Sequence, residues 1–343
     1  MIRMKSLTVV GTLACILAIV LTGCGGAATP APTEAPSEHQ TVRVALILGE
    51  GTNDMTWNYD AYQSLSRVVD RLDYAEILGV AEYVAEADGE SAMRDYADRG
   101  ANLIIAMSFG YWEAGQRVCA DYPGLAVVYP GGDDTLISPC EGTFYPKTYE
   151  ATYLIGMLGA LMTQTDHIGY ILSNPIPPLQ AETNAFIQGA RDTDPNLQVD
   201  VIVTGSWYDP PREREAAEAM IDSGVDFLGF ELNATTAIDA AKEAGIMVAP
   251  PFVDQRYLAP NNVAVSSLWQ WDSYFEQLIT QVSSGTWQSG VVLWGIAEGM
   301  ADISEFGPMV TADVAAQVMA KRQAIIDGTF QVPYIIDRNL WEQ

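Results

Sequence analysis

The chain has 343 residues, 49% of them hydrophobic and 18% charged, which is core enough for two domains at roughly 100–200 residues each. Its 17 Lys and Arg stand against 44 Asp and Glu, a formal net charge of −27. A surface that acidic repels phosphate backbones and excludes nucleic acid as a partner. Two distant histidines, His39 and His167, and four cysteines with no C-x-x-C pair supply no pattern for a metal site.

The N-terminus reads as an export signal. Arg3 and Lys5 precede an apolar run from about Leu7 to Leu21, which ends in Leu21-Thr22-Gly23-Cys24. A basic start, a short apolar segment and small residues at the break fit a leader, and the run is short for a membrane span of ~20 residues. Leu-x-Gly-Cys resembles the bacterial lipobox, in which the cysteine is acylated and becomes the first mature residue. Residues 1–23 are therefore expected to be a lipoprotein signal peptide and Cys24 the anchor on the outer face of the cytoplasmic membrane. Residues 24–40, rich in Ala, Pro, Gly and Glu, read as a flexible tether. Cys119 and Cys140 remain as a pair for a disulfide in an oxidising compartment, with two free thiols as the alternative.

From Thr41 onward, short apolar runs alternate with amphipathic segments. Strands are expected at 42–48, 75–80, 102–108 and 125–129, with helices at 57–72, 89–99 and 112–121 between them. A helix at 148–163 opens a second series, with strands at 168–173, 198–204, 226–230 and 246–249 and helices at 179–192, 212–223 and 235–244. The tail adds strands at 263–267 and 291–294 and helices at 272–283 and 312–327. Such alternation predicts an α/β protein of two doubly wound parallel-sheet lobes joined by a hinge. The first lobe is expected to hold 41–145 and about 270–284, the second 146–269 and about 285–343.

In open parallel sheets, ligands bind beyond the carboxyl ends of the strands. There the sequence places Asp54, Trp57 and Asn58; Ser108, Phe109 and Tyr111; Trp207 and Tyr208; Phe252 and Asp254; and Trp269. Rings with carboxylates or amides beside them suit a planar ligand that carries hydrogen-bond donors. Gly49-x-Gly51 lacks the third glycine of a dinucleotide fingerprint, Asp54 standing in its place. No Gly-x-Ser-x-Gly elbow is present, and no cofactor is expected.

At these same residues the chain resembles the basic membrane protein (BMP) family, the purine-binding lipoproteins of bacterial ABC transporters. The resemblance is carried by Asn53-Asp54-x-x-Trp57-Asn58, Ser108-Phe109-Gly110-Tyr111, Tyr153-Leu154-x-Gly156, Ile168-Gly169-Tyr170, Pro175-Ile176-Pro177, Asn184-Ala185-Phe186-x-x-Gly189-Ala190-Arg191 and Ser206-Trp207-Tyr208-Asp209-Pro210. It implies a type I periplasmic-binding fold with three hinge strands and a ligand held in the cleft. Members that bind nucleosides carry an Asp and a Lys for the ribose where this chain has Phe252 and Trp269, and Asn233 stands for an Asp in the preceding turn. Trp269-Gln270-Trp271-Asp272-Ser273-Tyr274 is similar instead to the branch associated with free bases such as adenine, although Pro178 replaces a Glu typical of that branch.

The expected function is capture of a purine base or similar flat heterocycle for an ABC permease and its ATPase, without catalysis. Trp57 and Tyr208 are expected to stack on the ligand, with Asp54, Asn58 and Asp254 as polar partners, Ser108 and Tyr111 on the first-lobe wall and Trp269 on the hinge side. A nucleoside-binding protein, a sensory subunit and an exported nucleoside hydrolase are the alternatives.

Overall fold

The computed structural model describes residues 39–53, 56–131 and 138–341. The leader, Cys24, all of the tether before His39, and Asp54 lie outside the described residues. The last two tether positions dock on the first lobe: His39 stacks on Tyr74, and the Gln40 N–H donates to the Ser283 carbonyl at 3.1 Å.

The first sheet is built from β1 (Val42–Ile47), β2 (Ala75–Ala81), β3 (Leu103–Ala106), β4 (Ala126–Pro130), β5 (Glu141–Pro146) and β11 (Val291–Trp294). Its order is β2-β1-β3-β4-β5-β11, every pair parallel. The two-residue period of β1 explains its double burial. Val42, Val44, Leu46 and Leu48 pack with Ala61, Leu65 and Val68 of α1 (Trp57–Val69) and with Phe275, Leu278 and Ile279 of α8 (Asp272–Ser283). Ala45 and Ile47 face the opposite layer, where α2 (Gly89–Asp98) and α3 (Trp112–Asp121) bring Met93, Ala114 and Val118.

The second sheet has the order β7-β6-β8-β9, again all parallel, from β6 (His167–Leu172), β7 (Gln198–Val203), β8 (Phe227–Glu231) and β9 (Met247–Ala249). One face is covered by α4 (Thr148–Met162), α5 (Pro177–Thr193) and α9 (Ala312–Ile326), the other by α6 (Pro210–Asp222) and α7 (Thr236–Ala244). α5 and α6 both begin on a Pro-Pro pair, where the missing N–H costs nothing. α4 and α5 touch backbone to backbone. A Cβ on Gly156 would stand 2.0 Å from the Phe186 carbonyl oxygen, and one on Gly189 2.0 Å from that of Tyr153. These two motif glycines thus serve helix packing.

The chain crosses between the lobes three times: from β5 into α4, through β10 (Ser267–Trp269) into α8, and from β11 into β12 (Ala301–Ile303). β10 and β12 pair antiparallel. Three boundaries differ from expectation. β11, assigned to the second lobe by the break near 285, extends the first sheet by pairing with β5. β5 itself was not foreseen, because Glu141, Gly142 and Pro146 give it little strand character; burial between β4 and β11 decides it. The strand expected at 263–267 is a single bridge from Val263 to Val248, and pairing resumes in β10. Cys119 of α3 is disulfide-bonded to Cys140, just before β5, with Cα atoms 5.6 Å apart.

Candidate functional site

Both sheets change winding direction beside their first strands, and the turns there meet across the cleft. In the first lobe, β1 and β3 lie side by side in the order β2-β1-β3; in the second, β6 and β8 do so in β7-β6-β8. The ends of these four strands and the turns after them supply Gly49 and Glu50, Met107 to Phe109, Ile176, and Glu231 with Asn233 to one cavity of about 230 Å³. That is the position where open α/β sheets hold ligands. Trp57, Val84 to Glu86, Tyr111, Pro130, Tyr145 and Trp207 complete its wall.

The aromatic walls are held from behind. The Trp57 indole donates to the Met107 carbonyl at 2.8 Å and meets Phe252, Trp269 and Trp271 edge-on at 5.9, 5.1 and 5.3 Å. The Tyr111 hydroxyl donates to the Val84 carbonyl at 2.5 Å. Burial, then the charges of Glu50 and Glu86, push its ionisation well above the ordinary phenol range, so it stays a neutral wall.

Three carboxylates line the cavity with no Lys, Arg or His among its described lining residues. Glu50 accepts from the Asn58 amide at 2.9 Å, and Glu86 accepts from the Ser108 hydroxyl at 3.1 Å. Glu231, the last residue of β8, accepts from the Ser173 hydroxyl at 2.6 Å. Burial pushes Glu231 up to about 7. Behind it the buried Glu182 accepts from Thr148 at 2.5 Å and is held far above the usual carboxylate range by burial and by Glu231.

Of the residues singled out in the sequence, Trp57, Ser108, Phe109, Tyr111, Trp207 and Asn233 meet on this wall. Asn58, Tyr208, Phe252, Asp254 and Trp269 do not. Asn58 is fully buried beneath Glu50 and acts through it. Tyr208 is 48% exposed, one residue past the ring that does line the cavity. Phe252, with a left-handed backbone (φ 73°), and Trp269 are buried behind Trp57 with ring centroids 5.0 Å apart. Asp254 is tied to Arg256 at 2.6 Å, which holds its carboxyl below the usual range. The sequence reading missed Glu50, Glu86, Tyr145 and Glu231. Glu50 and Glu231 obey the same strand-end rule as the rings, but among 44 acids their positions did not stand out.

With this geometry in place, the relatives become informative. The Bmp family profile, described as ABC transporter substrate-binding protein PnrA-like, matches residues 41–335. The chain belongs to this family. Relatives include a purine-binding protein of Brucella abortus, 30% identical over 80% of this chain and 78% of its own. Another, from Haloferax volcanii, is named as an ABC transporter glucose-binding protein, TsgA13, and is 29% identical over 87% and 75% of the two chains. Among solved structures, an ABC transporter solute-binding protein from Aeropyrum pernix superposes with a TM-score of 0.74 at 19% identity, covering 85% of this chain and 94% of its own. One from Conexibacter woesei gives 0.70 at 20%, covering 86% and 99%. The Bmp chain described here is thus a substrate-binding protein of an ABC transporter, with a small molecule as cargo and permease and ATPase subunits as partners. No helix among the described residues is long and apolar enough to cross a membrane.

Proposed function

We propose that the cargo is a purine base or a closely similar nitrogen heterocycle, bound as the free base. The observation that carries this reading is the cavity's composition. Flat rings from both lobes (Trp57, Phe109, Tyr111, Tyr145 and Trp207) and three carboxylates surround it, without a cationic side chain in the described lining. Rings stack on a flat π-system, carboxylates accept its N–H groups, and anionic ligands find no counter-charge. The Brucella abortus relative, named as a purine-binding protein, supports it.

A sugar is the second reading, because the Haloferax volcanii relative is named as a glucose-binding protein and carboxylates also accept hydroxyl donors. Cys24, as a lipidated N-terminus, would hold the protein to the outer face of the membrane. Titration calorimetry with adenine, guanine, adenosine and glucose, after unfolding and refolding to strip co-purified ligand, tests the assignment. Adenine or guanine should bind most tightly. Glucose binding with no response to either base would replace the purine reading by the sugar one.

A further inference from the structure

Glu231 differs from the other two carboxylates of the cavity in its surroundings. It is 4% exposed yet reaches the wall, and the titratable groups that interact with it are carboxyls and phenols. Its charge is felt by Glu182 of α5 and by the phenols of Tyr170 on β6 and Tyr145 on β5, and it feels that of Glu213 on α6. Glu50 and Glu86 line the wall opposite. The Ser173 hydroxyl satisfies one of its oxygens, Oε2. No cation is among the groups named; the Ser173 hydroxyl and main-chain N–H favour a charged Glu231, and a donor that enters the cavity would add to them.

We propose that Glu231 is the specificity-determining residue: as a carboxylate it accepts an N–H of the bound ring, so the cavity selects neutral or cationic heterocycles that offer an N–H donor. The inference rests on the purine reading and adds to it the polarity of the edge that the protein reads. A ring that presents only acceptors towards Glu231 would leave two lone-pair-bearing atoms opposed, and an oxyanion would meet like charge.

Burial sets the pH at which this matters. With Glu231 pushed up to about 7 in the empty protein, the empty site is largely protonated at pH 6 and largely ionised at pH 8. A ligand that binds only the ionised form then binds about tenfold more weakly at pH 6 than at pH 8 by proton linkage. Adenine is neutral across this range, so the change belongs to the protein.

The experiment is adenine calorimetry on the wild-type protein between pH 6 and 8, in two buffers of different ionisation enthalpy, with Glu231→Gln alongside. The expected result is proton release near pH 7, about tenfold tighter binding at pH 8 than at pH 6, and a variant that binds without either effect. Wild-type binding that is independent of pH and releases no proton would overturn the proposal and leave the purine reading standing. So would a Glu231→Gln variant that keeps the full pH dependence. Absence of adenine binding at every pH would overturn both. The proton count is read on the wild type, so it stands even if the variant fails to fold.

Discussion

The Thr56 hydroxyl donates to the main-chain carbonyl of Asn233 at 2.9 Å, joining the start of α1 in one lobe to the turn after β8 in the other. Thr56 is 1% exposed, and Trp57 and Asn233 beside this bond both line the cavity. The bond therefore joins the two lobes directly, beside the ring cluster of Trp57, Phe252 and Trp269 that they share. Thr56→Val keeps the shape and removes the donor. It should weaken ligand binding by about 0.5–1.5 kcal/mol, the net value of one hydrogen bond, with little change in unfolding temperature. Calorimetry paired with thermal unfolding checks this; a lowered melting temperature at unchanged affinity would assign the bond to folding instead.

Trp57 serves both the cavity and the cluster behind it. Trp57→Ala should lower affinity by about 1–3 kcal/mol, the range for a base that loses its aromatic platform. The same change opens a hole against Phe252, Trp269 and Trp271, with a stability loss of about 3 kcal/mol. Trp57→Phe separates the two effects, because it keeps a ring but not the bond to Met107. If affinity survives Trp57→Ala and only stability falls, the ring is part of the core and not of the binding face.

Free bases should bind more tightly than their nucleosides. Phe252 and Trp269 are buried in the aromatic layer behind the wall and carry no carboxylate or ammonium towards a sugar. Ribose hydroxyls enclosed without partners cost about 1–3 kcal/mol each. Competition between adenine and adenosine reads the difference directly, and a preference for adenosine would be incompatible with it.

How far the sequence revealed this arrangement depended on what each signal was. β1, β3, β6 and β8 are apolar runs buried on both faces, and such runs are visible without a structure. Once the strands were placed, the strand-end rule located Trp57, Ser108, Phe109, Tyr111 and Trp207, while Asn233 came from the family resemblance alone. Three-dimensional layering was not accessible: nothing in the residue order distinguishes Trp57 on the wall from Trp269 directly behind it. The acidic side of the site was hidden by composition, since a functional Glu231 looks like any other acid in a chain with 44 of them. Pairing at the crossovers was hidden for another reason. β10 has only three residues and β5 is poor in strand-forming residues, so both gain their strand character from neighbours far along the chain.

Buried carboxyls make the fold sensitive to alkali. Glu141, fully buried in β5, is pushed up to about 8 by burial. Its folded-state value lies above the unfolded one, so the native state holds a proton that the unfolded chain has released. Stability should therefore fall as pH rises from the ordinary carboxylate range towards 8, with the protonated Glu231 and Glu182 acting in the same direction. At the acid end, Asp254 is held low by Arg256, and its contribution is lost only as pH drops through that depressed value. Maximum stability is expected near pH 5. Glu141→Gln should flatten the alkaline slope and gain up to a few kcal/mol at pH 8 while changing little at pH 5. Urea unfolding of both proteins at the two pH values measures this, and an unaltered slope would exclude Glu141 as its source.

Attachment to the membrane should rest on Cys24 alone. Leu21-Thr22-Gly23-Cys24 ends an apolar run, and the segment after it is rich in Ala, Pro, Gly and Glu with no apolar periodicity. Such a segment has no face with which to hold a bilayer. The acidic surface contributes nothing, because anionic lipid headgroups repel it. Acyl chains supply about 0.8 kcal/mol for each buried methylene, and firm anchoring takes more than one chain, which a multiply acylated N-terminal cysteine provides. Cys24→Ser should therefore abolish incorporation of radiolabelled palmitate and release the protein from the membrane fraction. The chain from residue 39 onward, expressed without a leader, should remain soluble and bind ligand as the full protein does, since every described lining residue lies within it. Equal label on the wild type and Cys24→Ser would show that another residue carries the lipid.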